Sequence, residues 1–148
     1  MNGRLECWPA GVEAAALYAQ LHALSFPDPW PEADFSRLLA SSGVDGLILR
    51  EGELPLGLSL IRSIAGECEI LTIGISPAKR RSGLGRVLLK GSEDQARHRG
   101  SKRMILEVSV SNAPARALYD ASGYRQIGIR KAYYRDGSAA QVLAKDLV

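Results

Sequence analysis

Arg80-Arg81-Ser82-Gly83-Leu84-Gly85, followed at once by Arg86, sets three arginines and two glycines where an apolar run, 71–75, gives way to helical periodicity. A helix start presents N–H groups without intrahelical partners and the positive end of the helix dipole, so it binds phosphate readily. Glycine leaves the main chain open to an anion, and Arg81 and Arg86 can add charge-assisted hydrogen bonds. The chemistry on offer is capture of a pyrophosphate. Two other phosphate loops fail on the same residues. A P-loop needs a lysine after its last glycine, where Arg86 stands, and a dinucleotide fingerprint needs a third small residue, where Leu88 stands.

Such a seat requires a strand that ends near Ile75 and a helix that starts near Gly85. Leu84, Val87, Leu88 and Gly91 share one helical face with Glu93 and Asp94 opposite, and Gly100 closes this helix behind Arg97, His98 and Arg99, cations suited to its negative end. Residues 46–50, 54–62 and 68–75 read as an antiparallel meander with short turns, one of them Gly52-Glu53. Before it come a short strand, 4–8, and an alanine-rich helix carrying Leu17, Leu21 and Leu24. Pro27, Pro29 and Pro31 exclude regular structure from 25–31, and Pro31 opens a second helix through Leu39. Phe26 and Trp30 in that loop either line a pocket or staple the second helix to the core. Downstream, 104–110 is a strand, Asn112 caps a fourth helix with Pro114 in its first turn, and Gly123 ends it. Residues 124–134 and 141–148 form a hairpin around Asp136-Gly137. The fold class is α+β (mixed α/β), a mostly antiparallel twisted sheet of about seven strands flanked by helices on its faces.

A chain of 148 residues has the size of one domain, spanning 1–148. Its 46% hydrophobic and 24% charged residues are ordinary for a packed protein and exclude disordered and fibrous classes. No apolar run approaches the roughly 20 residues of a membrane helix, and Met1-Asn2-Gly3-Arg4-Leu5-Glu6 lacks a secretory pattern, so the expected location is cytoplasmic, away from membranes. Cys7 and Cys68 form no C-x-x-C pair and read as small core residues. His22 and His98 have no second ligand at metal spacing, so no metal is expected and both read as structural. A net charge of +3 is small, and no aromatics interleave with the arginines, so direct nucleic-acid binding is not expected.

On Arg80, Gly83 and Gly85 the sequence resembles the GNAT acetyltransferases, whose motif is Q/R-x-x-G-x-G/A at the start of the third helix. Leu71-Thr72-Ile73, Gly83-Leu84-Gly85-Arg86, Leu106-Glu107-Val108, Ser111-Asn112-Ala113, Ala117-Leu118-Tyr119 and Tyr133-Tyr134 extend the likeness to the branch that acetylates ribosomal-protein N termini. The resemblance implies acetyl-CoA as co-substrate. It places Ile73, Gly74 and Ile75 along the pantetheine arm, Arg80, Arg81, Ser82, Gly83, Leu84, Gly85 and Arg86 around the pyrophosphate, and Asn112 against the cofactor. It makes Glu107 the general base and Tyr119 the general acid. Chemistry agrees, since an amine must lose its ammonium proton before attacking a thioester, and a phenol with a pKa of about 10 can protonate a thiolate near 8.5. Plainer explanations exist beside these. Glu107 alternates with Ile105 and Ser109 as a solvent-facing glutamate would, Tyr119 could pack on the sheet, and Asn112 could serve only as a cap.

An α-amine with a pKa of about 8 is freed at about 3 kcal/mol less cost than a lysine at about 10.4, which favours an N-terminal acceptor. The resemblance implies a protein partner, the N-terminal alanine of the eighteenth small-subunit ribosomal protein, and a monomeric enzyme. Tyr133 and Tyr134 would close over the peptide with the 26–30 loop as the opposite wall, or else pack across strands. Many members of the family the chain resembles place acidic residues after the hairpin glycine, whereas this chain reads Gly137-Ser138-Ala139-Ala140-Gln141, leaving other acidic residues such as Glu67 or Glu69 as candidate substitutes. A lysine or small-amine acetyltransferase and a non-catalytic acyl-CoA-binding module stay open as alternatives; a pure binder needs neither Glu107 nor Tyr119.

Overall fold

In the computed structural model, which describes residues 4–80, 83–131, 133–134 and 136–148, seven strands join in one sheet. They are β1 (Leu5–Pro9), β2 (Val44–Glu51), β3 (Leu54–Ile64), β4 (Glu67–Ile75), β5 (Arg103–Ser109), β6 (Arg125–Arg130) and β7 (Ala140–Asp146). The helices are α1 (Ala15–Ser25), α2 (Glu32–Leu39), α3 (Leu84–His98) and α4 (Ala113–Ala121). The spatial order is β1-β2-β3-β4-β5-β7-β6, and only β4 and β5 run parallel. The expected class, a mostly antiparallel sheet with helices on both faces, is what the chain adopts.

Alternation along the strands divides the core between those faces. On one, Ile48, Leu58 and Leu60 pack with Tyr18 and Leu21 of α1 and Phe35 of α2. On the other, Leu47, Leu49 and Leu56 pack under Leu84 and Leu88, and Ile61, Leu106 and Val108 under Leu89 of α3 and Tyr119 of α4. Cys68 is a buried member of the second face and Cys7 is half-buried beside it, so the two thiols do serve as packing residues.

A bulge decides the shape of the middle of the sheet. Leu60 pairs with Thr72 and Ile61 with Ile70, so Leu71 is a surplus residue in β4. One surplus residue reverses the alternation and bends its strand. Cys68 and Ile70 pack toward α3, Thr72 turns to α1, and Ile73 and Ile75 return to the α3 side. The parallel ladder to β5 joins only Glu67, Cys68 and Glu69 to Arg103, Met104 and Ile105. Past that point the strands part, opening a wedge toward their C-terminal ends.

The helical pattern of α3 needs correction. Glu93, expected opposite the apolar face, is 4% exposed and accepts hydrogen bonds from Tyr124 Oη at 2.7 Å and Lys145 Nζ at 2.9 Å. Leu84, Leu88, Leu89, Ser92, Glu93 and Ala96 form the buried face, whereas Val87 is exposed. The buried stripe is rotated because this helix lies on the sheet and also against the neighbourhood of Tyr124 and Lys145. The last hairpin differs too. β6 stops at Arg130, short of the expected 134, because Tyr134 N–H donates to Ser138 O and Gly137 N–H to Tyr134 O, a local turn in place of ladder bonds. Tyr133 and Tyr134 therefore belong to the β6–β7 connection.

Candidate functional site

β4 enters a single turn at Pro77–Lys79 and then α3, so the start of α3 stands at the open end of the wedge. Gly83 is the N-cap with φ 79°, a left-handed conformation that favours glycine, and no side chain caps the first turn. Space around Gly83 is open, but a Cβ at Gly85 would lie 3.2 Å from Leu118 Cδ2. The second glycine thus also serves the close approach of α4 to α3. Leu84 is buried and Arg86 exposed. Arg81 and Ser82, expected in the pyrophosphate seat, lie outside the described residues. Arg80 is engaged with the protein itself: Nε donates to Ile75 O and Nη2 to Ser25 O, each at 3.1 Å. It ties the end of β4 to the end of α1.

Ile73, Gly74 and Ile75 lie half-buried on the part of β4 that has left β5. Main-chain groups facing the wedge there have no ladder partner among the described residues, and such groups call for a ligand or water. Asn112 caps α4, its Oδ1 accepting from Ala115 N–H at 3.2 Å, which leaves its amide N–H groups to donate elsewhere.

Glu107 is on β5, on the face opposite the buried Leu106 and Val108. Its Oε1 is 3.2 Å from Arg130 Nε, and the side chains are 19% and 58% exposed. The ladder explains the meeting: Glu107 pairs with Val142, Val142 with Gly128, and Arg130 lies two residues beyond on the same face. With one partner largely exposed the pair contributes about 1 kcal/mol or less, so another cation can displace Arg130. Arg130 also lies over the Tyr133 ring at 5.3 Å. No sequence pattern marked Arg130; its position depends on the register of three strands and on the surplus residue Ile127 in β6.

Tyr119 is buried beneath the sheet's other face, its ring edge-on to Tyr124 at 5.6 Å. Burial first, and the nearby Tyr134 second, push its phenol up to about 12. Tyr134 is half-buried, and its phenol is also raised, by burial and then by Glu107, Tyr133 and Asp136. Tyr134 therefore stands electrostatically between Glu107 and Tyr119, while the exposed Tyr133 packs edge-on to it at 5.0 Å. Phe26 and Trp30 stand apart from this group in chain but not from β4: Phe26 contacts the Cα side of Gly74, where a Cβ would lie 2.9 Å from its Cε2. Trp30 packs on Phe35 at 5.6 Å. Glu67 and Glu69 pair with Arg103 and Arg62, each at 3.3 Å, in the closed end of the wedge, and so are not placed to replace acidic residues after the hairpin turn. Among the described residues no cluster of three His, Cys, Asp or Glu side chains could hold a metal, and no helix is long and apolar enough to cross a membrane.

Residues 15–124 match the Acetyltransferase (GNAT) family. The N-alpha-acetyltransferase RimI of Mycobacterium tuberculosis is 38% identical over 135 residues, which cover 86% of this chain and 84% of that protein. The ribosomal protein bS18-alanine N-acetyltransferase of Escherichia coli (strain K12) is 31% identical over 120 residues, covering 81% and 79%. The crystal structure of the ribosomal-protein-S18-alanine N-acetyltransferase from Escherichia coli matches with a TM-score of 0.87 at 26% identity, over 99% of this chain and 94% of that one.

Proposed function

Because the chain belongs to the GNAT family of acetyltransferases, we propose that it transfers the acetyl group of acetyl-CoA to the N-terminal α-amine of a protein, with the N-terminal alanine of ribosomal protein bS18 as the acceptor. The wedge carries this reading. Two strands diverge with unladdered main-chain groups, and a glycine-led helix start stands at their open end. That combination fits a molecule with an amide-bearing arm and a pyrophosphate. Ile73, Gly74 and Ile75 would hold the arm, the segment from Arg80 to Arg86 the pyrophosphate, and the Asn112 amide a further polar group. Arg80 would act by fixing the seat, since its Nε and Nη2 already donate to Ile75 O and Ser25 O.

Bound acetyl-CoA supplies a thioester carbonyl for the amine to attack and a thiolate to leave. Glu107 accepts the ammonium proton, directly or through a water, once the amine has displaced Arg130. Tyr119 donates from the opposite side of the sheet, and its raised pKa keeps its proton in place at working pH. Tyr133, Tyr134, Phe26 and Trp30 form the two walls of the acceptor site. The relatives' names support an α-amine and an alanine acceptor, and the lower cost of freeing an α-amine, about 3 kcal/mol relative to lysine, points the same way.

Acetyl-CoA and a set of peptides differing in the first residue, read by mass spectrometry, test the reading. The alanine-first bS18 peptide should be acetylated at its α-amine, and Glu107→Gln should lower kcat by about 10²–10⁴-fold while changing acetyl-CoA affinity little. Modification confined to internal lysines or small amines would overturn the acceptor, and equal loss of turnover and affinity would make Glu107 structural.

A further inference from the structure

His22 is 2% exposed in the last turn of α1, and the acetyl transfer just described makes no use of it. Its ring stacks against Phe26 at 4.3 Å and Trp30 at 4.9 Å, with Phe35 edge-on at 5.4 Å. Nδ1 is 3.0 Å from the backbone nitrogen of Trp30. A backbone N–H can only donate, so Nδ1 is the bare nitrogen and Nε2 carries the ring proton. Nε2 is 3.1 Å from Thr72 Oγ1 and therefore donates to it. One neutral imidazole thus connects the exit of the 26–30 loop to β4, at the residue next to the surplus Leu71 and just before Ile73.

Other contacts bind the same loop to the same strand. Phe26 N–H donates to His22 O at 2.9 Å, closing α1. Arg80 bridges Ser25 O and Ile75 O. Gly74 leaves room for the Phe26 ring, which a Cβ would crowd. Of these, only His22 reaches the far end of the loop, where Pro27, Asp28 and Pro29 are exposed. We propose that His22 is a positioning residue: it holds the 26–30 wall in register with the open edge of β4, so that acceptor and donor are presented by one rigid unit. This rests on the reading that the loop lines the acceptor site.

The test measures two quantities separately on the full chain: hydrogen exchange over residues 26–31, and steady-state constants for the alanine-first peptide and for acetyl-CoA. His22→Leu keeps the bulk but loses both hydrogen bonds. It should speed exchange at the Trp30 amide at least about tenfold and raise the peptide KM about tenfold, the weight of one net hydrogen bond, with the acetyl-CoA KM within twofold. His22→Asn, whose Oδ1 can replace Nδ1 as acceptor, should restore protection and return the peptide KM to within about threefold. Thr72→Val should reproduce part of the KM effect without altering the fold. Unchanged exchange in His22→Leu would overturn the positioning role while leaving the acceptor wall intact. Faster exchange with an unchanged peptide KM would show instead that the loop does not line the acceptor site, and equal rises in both KM values would reduce His22 to a core residue.

Discussion

Tyr119 and His22 show how burial sets the chemistry of single side chains in opposite ways. Burial pushes the Tyr119 phenol up to about 12, so proton transfer to a free thiolate near 8.5 is uphill by about 5 kcal/mol. In the proposed transfer the phenol would therefore act by a hydrogen bond that strengthens as negative charge develops, with the proton moving late. His22 moves down, to about 4, because desolvation penalises its cationic form among the Phe26, Trp30 and Phe35 rings and the Thr72 hydroxyl. The unfolded chain has the ordinary value of about 6.5 and takes up a proton that the folded chain refuses. Its neutral form therefore supports the fold fully above about pH 6.5, and that support is lost as pH falls through about 4, at a cost of about 3 kcal/mol. Urea unfolding of the wild type and of His22→Leu should show their stability difference shrinking by about this amount between pH 7 and pH 4. A constant difference would mean that His22 titrates normally.

On the scale of elements, the Glu93, Tyr124 and Lys145 group joins α3 to the end of α4 and to β7. Removing Lys145 leaves the Glu93 carboxylate, 4% exposed, without its charge partner. Lys145→Met should cost about 3 kcal/mol, the lower end of the range for a broken buried pair because the lysine is partly exposed, and adding Glu93→Leu should recover most of the loss in urea unfolding. Sequence periodicity misplaced Glu93 because it counts every glutamate as a solvent residue and cannot see that α3 is covered from two directions. Local chemistry was readable: the Asn112 cap with Pro114 behind it, the Gly100 and Gly123 helix ends, and the alternation that puts Glu107 away from Leu106 and Val108 all depend on near neighbours. Long-range pairings were not. The run Ile70-Leu71-Thr72-Ile73 carries no mark of a bulge, Arg130 reaches Glu107 across an intervening strand, and His22 finds Thr72 from 50 residues away.

For the whole molecule, a wedge that holds acetyl-CoA as proposed would make stability depend on occupancy. A ligand that supplies partners to two open strand edges binds the folded chain and not the unfolded one, so acetyl-CoA at 100 times its Kd should add about 2.7 kcal/mol. In a domain of this size that should raise Tm by about 5–10 °C in calorimetry, and no rise at saturating acetyl-CoA would argue that the wedge is not its site. The opening begins beside Leu71, the surplus residue two positions past the last pair of β4 with β5. Shortening β4 by that one residue would restore uniform alternation, with Ile70, Ile73 and Ile75 all still on the α3 side, and would remove the local bend that a surplus residue imposes. A straighter β4 would be free to pair farther along β5, a scaffold with nowhere to admit a guest; on the proposed reading, the room for chemistry comes from an imperfection of count.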